Sequence, residues 1–297
     1  MPTDFRINRR QFGTLAVLAT GAPALATSPP RFDLSAAVGD AEHVTGGRIG
    51  FAVHDTATGR RFSHRGHERF PMASTFKMLL TAAILERVDR GTERLDRAVP
   101  IRADDIIENS PVSEAHVGRT ATVAELAQAT MIYSDNTAAN LLLPAVGGPA
   151  GLTAFLRRIG DPVTRLDRNE PTMSEARPGD PRDTSSPDAI LATWERLLLG
   201  NALSPASRER LTGWLVANTT GDTRLRAGLP RGWRVGDKTG TGAAVSGTVN
   251  DVAIVWPARA DTKPLLIASF INGGTAAPEI LSRAHADLAR AIASGIA

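Results

Sequence analysis

The position of the β-type segments, near both ends of the sequence, most constrains how this chain can fold. Arg48 to His54 and Arg61 to His64 have the composition of two strands joined by a turn. Three further strand patterns come late in the chain: Trp233 to Thr239, Val249 to Trp256 and Leu265 to Ile271. These early and late segments are therefore predicted to pair into one antiparallel sheet.

The sequence between these β segments is dominated by helical patterns, and a last one follows the late strands. They are Leu34 to His43, Ser74 to Val88, Thr122 to Ile132, Asn136 to Leu143, Leu152 to Ile159, Pro187 to Leu199, Pro205 to Ala217 and Ala277 to Ile292. We therefore predict an α+β fold in which an antiparallel sheet flanked by helices carries an inserted all-helical lobe. Within one domain over 27–297, the sheet lobe covers about 27–70 and 218–297, and the helical lobe about 71–217.

Residues 1–26 read as an export signal, because three arginines precede a short apolar run that ends in Ala24-Leu25-Ala26. Arg9-Arg10-Gln11-Phe12 resembles the twin-arginine motif, and a Sec signal with a chance arginine pair is the alternative. Either route predicts a location in the periplasm or outside the cell. The run is too short to span a bilayer comfortably, so we expect no stable membrane anchor. We also expect a monomer.

Composition excludes several classes of function. The chain has no Cys, so neither a disulfide framework nor a thiolate metal site is possible. Its formal charge of +3 falls to +1 without residues 1–26, which hold three Arg and one Asp. The basic residues form no run and are not interleaved with aromatic residues, so we expect no nucleic-acid partner.

One polar segment resists assignment to a helix or strand. Residues 161–187 contain five Pro, many charges and few apolar anchors. A loop this long inside a compact domain is usually functional or disordered.

The first candidate for chemistry is Ser74-Thr75-Phe76-Lys77, at the start of a predicted helix. Residues three apart share a helix face, so the Lys77 amine can approach the Ser74 hydroxyl. A serine becomes a good nucleophile when a neighbouring base takes its proton, and positive surroundings would keep Lys77 neutral enough to help. On its own the motif is common enough to arise by chance.

Two further motifs supply complementary groups. In Ser134-Asp135-Asn136, a serine can relay a proton and an asparagine can hold a substrate amide, whereas Asp135 is predicted to be a helix cap. In Lys238-Thr239-Gly240-Thr241-Gly242, a lysine and two hydroxyls on a strand make a carboxylate site. Its glycine lets an extended substrate approach the strand edge.

The three motifs, in this order, resemble those of class A serine β-lactamases and penicillin-binding proteins. Glu170-Pro171-Thr172, in the long loop, resembles the Ω loop of the class A enzymes, in which the glutamate activates the water that clears the acyl-enzyme. Penicillin-binding proteins lack that glutamate. Arg168 and Asp183 fall where the class A loop has a closing ion pair.

The resemblance implies hydrolysis of β-lactams, with penicillins and cephalosporins as substrates and no metal or organic cofactor. Ser74 would form the acyl-enzyme, Lys77 and water held by Glu170 would take its proton, and Ser134 would protonate the leaving nitrogen. The backbone N–H groups of Ser74 and Thr241 would form the oxyanion hole. The residues implied in substrate binding are Asn109, Asn136, Ser174, Arg224, Lys238, Thr239, Gly240 and Thr241.

The chain departs from the family pattern at a few positions. Ser174 stands where an asparagine usually helps to hold the deacylating water, and Asn109 stands where an aromatic residue usually forms the rim of the pocket. Ala73 and Gly242 occupy positions that carry a cysteine pair in many carbapenem-hydrolysing members. The loop from Ala243 to Asn250 is slightly longer than in common relatives.

Two other functions fit the same serine motifs. A D,D-peptidase acting on peptidoglycan would share them, but Glu170 and its loop argue against that function. A β-lactam sensor would be acylated once and then signal. A sensor should carry a transmembrane anchor and a signalling domain, and we identify neither in this sequence.

Overall fold

A computed structural model describes Met1 and residues 33–258 and 263–296. The predicted export signal lies outside the described residues. The strands are β1 Arg48–Asp55, β2 Arg61–His64, β3 Phe70–Pro71, β4 Ala98–Pro100, β5 Thr120–Thr122, β6 Thr184–Ser185, β7 Arg234–Thr241, β8 Val249–Trp256 and β9 Leu265–Asn272. The helices are α1 Ser35–Thr45, α2 Phe76–Asp89, α3 Pro111–Glu114, α4 Val123–Ile132, α5 Asn136–Leu142, α6 Gly148–Arg158, α7 Pro187–Leu198, α8 Pro205–Val216, α9 Leu225–Gly228 and α10 Pro278–Ile296.

Five strands form one antiparallel sheet in the order β2-β1-β9-β8-β7. The N-terminal hairpin joins the late strands through β1 and β9, where Phe51 is paired with Ser269. The predicted pairing of early with late segments, and the α+β fold class, are therefore confirmed. In this order β7 lies at the edge of the sheet.

Helices cover both faces of the sheet. Along β1, Ala52 belongs to the hydrophobic cluster that contains Trp194 of α7, whereas Phe51 and Val53 belong to the cluster that contains Leu288 of α10. This alternation follows from the strand geometry, in which successive side chains point to opposite faces. Because both faces are covered, β1 is buried along almost its whole length.

Side-chain caps set several helix boundaries. The capping box predicted at Thr122 is confirmed, since its hydroxyl accepts from Glu125 N–H and the Glu125 carboxylate accepts from Thr122 N–H. Helix α6 begins at Gly148, four residues before its predicted start. Apolar periodicity could not show this first turn, which begins with Gly-Pro after Gly147 in the left-handed conformation.

The short strands β3 to β6 were not predicted, because two or three residues are too few to show alternation. They pair as β3 with β6 and β4 with β5. In the part of the chain that the structure describes, no single helix is long and apolar enough to cross a bilayer. One bent pair, Asn136–Val146 with Gly148–Arg158, passes that test by length and composition alone.

Candidate active site

A cleft of about 730 Å³ brings together residues that are far apart in the sequence. Its walls are the start of α2, the turn between α4 and α5, the edge strand β7 and the loop from 161 to 187. The described residues that line it are Ser74, Glu108, Asn109, Tyr133, Ser134, Asn136, Glu170, Pro171, Thr172, Ser174, Glu175, Thr220, Arg224, Thr239, Thr241, Gly242, Ala243 and Ala244.

Ser74 lies in a tight 3₁₀ turn that leads into α2. The preceding Ala73 has a φ of 43°, an unusual conformation for a residue with a side chain, and such strained positions are frequent at functional sites. Strand β7 passes directly beside this turn at Gly240. A side chain would not fit at this position, since a Cβ atom would lie 2.6 Å from Met72 O and 3.2 Å from Ser74 N. The hydroxyl of Ser74 donates to Oε1 of Glu170 at 3.3 Å.

Lys77 lies in α2, three residues after Ser74, and is fully buried. Its Nζ donates to Ser134 O at 2.7 Å and to Asn136 Oδ1 at 2.5 Å, and it lies 3.6 Å from Glu170 Oε1. Burial lowers the pKa of Lys77 to about 8, while the carboxylates of Glu170 and Asp135 act in the opposite direction. Desolvation, rather than the positive surroundings expected from the sequence, therefore favours the neutral amine.

The Ser134-Asp135-Asn136 turn joins α4 to α5, with Ser134 in the left-handed region at a φ of 58°. Asp135 caps α5 by accepting from Ala138 N–H, as predicted, and also binds Ser113. Asn136 donates its amide N–H to Glu108 O at 2.8 Å. The hydrogen bonds of Asp135 to Ala138 and Ser113 fix the backbone of the turn. Ser134 and Asn136, on either side of Asp135, both contact Lys77 as a result.

Lys238 approaches Ser134 from β7. Its Nζ, fully buried, donates to Ser134 Oγ at 3.0 Å and to Thr239 O at 3.0 Å. Burial, and next the nearby positive charge of Lys77, lower the pKa of Lys238 to about 7. Since Lys77 Nζ lies 3.3 Å from the same Ser134 Oγ, one hydroxyl bridges two amines of reduced basicity.

Arg224 is held by two hydrogen bonds to β7 and one to β8. Its guanidinium donates to Gly240 O at 3.0 Å, to Asn250 O at 2.6 Å and to Thr241 Oγ1 at 2.7 Å. Thr239 on the same strand shares a 2.5 Å hydrogen bond with Thr220. The guanidinium and the two threonine hydroxyls form a polar patch at one end of the cleft.

Glu170 is fixed through both its backbone and its side chain. Asn140 clamps the backbone, donating to Glu170 O at 2.8 Å and accepting from Glu170 N–H at 3.1 Å. Ser174 donates to Glu170 Oε2 at 2.8 Å, so the two carboxylate oxygens have separate partners. Asn140 was missed by sequence reasoning, although it lies four residues after Asn136 on the same helical face.

A buried ion pair closes the loop that carries Glu170. Arg168 Nε lies 2.6 Å from Asp183 Oδ2, and the other carboxylate oxygen of Asp183 accepts from the N–H groups of Asp167 and Arg168. The predicted pairing of Arg168 with Asp183 is therefore present in the structure. The loop is also tied to the β7–β8 turn, since Ala243 N–H donates to Ser174 O at 2.8 Å.

The polar rim of the cleft includes Asn109, which has a φ of 60°. Its side-chain amide donates to Ser134 O at 3.1 Å, and its backbone carbonyl accepts from Asn136 N–H. Asn109 therefore supports the turn that carries Ser134. Within residues 33–258 and 263–296, no group of three or more His, Cys, Asp or Glu is placed to hold a metal ion.

The sequence model of the Beta-lactamase enzyme family matches residues 33–296. Beta-lactamase L2 of Stenotrophomonas maltophilia is 46% identical over 263 residues, which cover 88% of this chain and 86% of that protein. The carbapenem-hydrolysing β-lactamase KPC of Klebsiella oxytoca is 48% identical over 225 residues, or 76% of each chain. The structure of an ancestral class A β-lactamase (GNCA) is similar with a TM-score of 0.85 and 56% identity, covering 88% of this chain and 99% of that one.

Proposed function

This chain belongs to the class A serine β-lactamases, which hydrolyse β-lactam antibiotics through an acyl-enzyme, and from that premise we propose which residues carry each step. The observation that carries the proposal is the position of Glu170 Oε1. This oxygen lies 3.3 Å from the hydroxyl of Ser74 and 3.6 Å from the amine of Lys77. One carboxylate therefore reaches both the nucleophile and its neighbouring base.

In acylation, Ser74 Oγ forms a bond to the lactam carbonyl carbon and loses its proton. Lys77 in its neutral form, or water held by Glu170, accepts this proton. The N–H groups of Ser74 and Thr241 stabilise the oxyanion, consistent with the close approach of β7 to the Ser74 turn.

The carbon–nitrogen bond of the lactam then breaks. Ser134 gives its proton to the leaving nitrogen and is reprotonated from Lys77 or Lys238, whose amines lie 3.3 Å and 3.0 Å from its hydroxyl. Lys238, Thr239, Thr241 and Arg224 hold the substrate carboxylate, with Gly240 allowing close approach, and Asn136 holds the substrate amide.

In deacylation, Glu170 takes a proton from water as the water oxygen attacks the ester carbonyl. The bond from the carbonyl carbon to Ser74 Oγ then breaks, and Glu170, whose Oε1 lies 3.3 Å from Ser74 Oγ, returns the proton to this oxygen. Ser174 supports this step by fixing the second carboxylate oxygen of Glu170. Loss of Glu170 should therefore block the second half of the reaction, whereas acylation can continue with Lys77 as the proton acceptor.

The proposed roles are tested by incubating purified Ser74→Ala and Glu170→Ala with benzylpenicillin. Ser74→Ala should give neither turnover nor a mass adduct, whereas Glu170→Ala should hold one stoichiometric adduct. Ser207→Ala, a buried serine on α8 outside the cleft, is the matched control and should hydrolyse the drug. Normal turnover by Glu170→Ala would exclude the proposed deacylation mechanism.

The two other functions considered from the sequence predict different results. A D,D-peptidase would release D-alanine from a D-Ala-D-Ala peptide, and a sensor would keep its adduct without turnover. We expect the wild-type protein to leave the peptide intact and to lose its penicillin adduct. Both assays use the wild-type enzyme and require no variant.

We propose penicillins and cephalosporins as substrates, in contrast to the carbapenems named for the KPC relative. Ala73 and Gly242 exclude the cysteine pair expected in many carbapenem-hydrolysing members. A Cβ atom on Gly242 would lie 2.7 Å from Ser246 Oγ, so a side chain there would force the turn to shift. Comparison of steady-state rates over the three drug classes tests this proposal.

We further propose that residues 1–26 direct export to the periplasm or outside and that 27–297 acts as a monomeric domain with two lobes and no membrane anchor. The arginine-led apolar segment supports export, with the twin-arginine route favoured over Sec. Replacement of Arg9 and Arg10 by lysine should retain the enzyme inside a cell that uses the twin-arginine route. Light scattering of the mature chain tests the monomer.

A further inference from the structure

Tyr133 places a large ring at the mouth of the cleft. It is the single tyrosine of the chain, and 46% of it remains exposed to solvent. Among the described residues that line the cleft it is the one aromatic side chain. Its neighbour in sequence is Ser134, which the proposed function places at the leaving nitrogen.

The surroundings of Tyr133 leave its ring available to a ligand. Tyr133 also lines a second cavity of about 240 Å³, whose lining includes Ile101, Val112, Leu126 and Ala129. In the described part of the chain, no hydrogen bond is recorded for its hydroxyl. The space of this cavity and the exposure of the side chain leave the ring room to adjust toward a bound group.

The other candidate at this rim cannot supply the same surface. The side-chain amide of Asn109 donates to Ser134 O at 3.1 Å, and its backbone carbonyl accepts from Asn136 N–H. The side chain of Asn109 therefore supports the turn and carries no aromatic ring. The wall formed by Glu170 and Ser174 lies on the loop from 161 to 187 and carries polar side chains.

We propose that Tyr133 is a specificity-determining residue that stacks on aromatic groups attached to the second ring of the substrate, the one fused to the four-membered lactam ring. The inference rests on the proposed roles of Ser74 and Ser134, because Ser134, the proposed proton donor to the leaving nitrogen, follows Tyr133 in the sequence and lines the same cleft. Aromatic pairs prefer offset or edge-to-face contacts and add modestly to binding beyond the area they bury. The effect should therefore be selectivity of about two- to tenfold rather than loss of catalysis.

The test uses two cephalosporins with the same acylamino group that differ at carbon 3, one with an arylvinyl group and the other with methyl. Tyr133→Ala should lower kcat/KM for the arylvinyl compound about two- to tenfold and change that for the methyl compound less than twofold. Tyr133→Phe, which keeps the ring, should match wild type on both. Leu199→Ala, which removes a side chain of similar exposure outside both cavities, is the matched control.

Each other outcome contradicts the proposal. An equal loss on both cephalosporins would assign Tyr133 a structural role. A loss shared by Tyr133→Phe would assign the effect to the hydroxyl, and a loss confined to the methyl compound would show that the tyrosine ring does not contact the aryl group. Absence of all hydrolysis by the wild-type enzyme would instead reject the proposed function, so the two failures are distinguishable.

Discussion

Ser174 Oγ donates a 2.8 Å hydrogen bond to Oε2 of Glu170, leaving Oε1 to face Ser74 and Lys77. A single hydroxyl thus divides the carboxylate into a supported oxygen and a reactive oxygen. Asparagine, usual in the family at this position, carries its donor and its acceptor on separate atoms of a longer side chain, whereas in serine one short hydroxyl has both functions.

We predict that Ser174→Ala slows deacylation about tenfold, because Glu170 loses the hydrogen bond that orients it. Acylation should change little, so the acyl-enzyme should accumulate. Rapid-quench mass spectrometry of the adduct during turnover of benzylpenicillin measures both steps. Ser174→Thr, which retains the hydroxyl, should stay near wild type, and an unchanged adduct level in Ser174→Ala would contradict the prediction.

Substrate binding should weaken as pH rises, because the pKa of Lys238 is lowered to about 7. Above this pH the free enzyme loses a positive charge from its carboxylate site. KM for penicillin should therefore rise about tenfold between pH 6 and pH 9. Steady-state rates across this range are the measurement, and a constant KM would show that Lys238 keeps its charge in the free enzyme.

Removal of Arg224 should raise KM more than it lowers kcat. Its guanidinium donates to Thr241 Oγ1 and to two backbone carbonyls, so its position is fixed before substrate binds. Loss of a charge-assisted contact predicts about a 10- to 100-fold lower kcat/KM for Arg224→Ala. Arg210→Ala on α8, outside the cleft, is the matched control, and equal losses in both variants would contradict a local role.

The ion pair between Arg168 and Asp183 should control the stability of the loop. Asp183 is 1% exposed, so Arg168→Ala leaves a buried carboxylate without its positively charged partner, at a cost of about 3–5 kcal/mol. Thermal unfolding measures this cost. The double variant Arg168→Met with Asp183→Asn should recover part of the stability, because the buried charge is gone, and no recovery would show that another interaction closes the loop.

His285 should make the fold sensitive to acid. Burial lowers its pKa to about 3, and it binds Ser269 Oγ and Val249 O. Since the unfolded chain takes up this proton near its ordinary pKa of about 6.5 and the folded chain does not, folding stability falls as pH drops from about 6.5 to 3. The titration of His285 alone should lower the free energy of unfolding by about 3 kcal/mol between pH 7 and pH 4.

Chemical denaturation of wild type and His285→Gln at both pH values tests that cost. The variant should lose less stability on acidification, whatever its stability at pH 7. His43→Gln, which replaces an exposed histidine on α1, should show the wild-type dependence. Identical pH dependence for all three proteins would exclude His285 as the source.

Local patterns in the sequence predicted most elements of the fold. Strands β2 and β8 have their predicted bounds, because turn residues delimit them. The cap at Thr122 and the cap at Asp135 also depend on residues within three positions along the chain. By contrast, β3 and β6 have two residues each and lie more than a hundred positions apart in the sequence. No local signal marks their pairing.

The sequence by itself determined which chemical groups are present, their order and the family they resemble, because motifs are read residue by residue. Only the tertiary structure decided how these groups act on each other. The clamp of Asn140 on Glu170, the lowered pKa values of Lys77 and Lys238 and the exposed ring of Tyr133 all depend on burial or on contacts between distant segments. Desolvation and hydrogen-bond geometry are properties of the packed chain, and a linear pattern does not contain them.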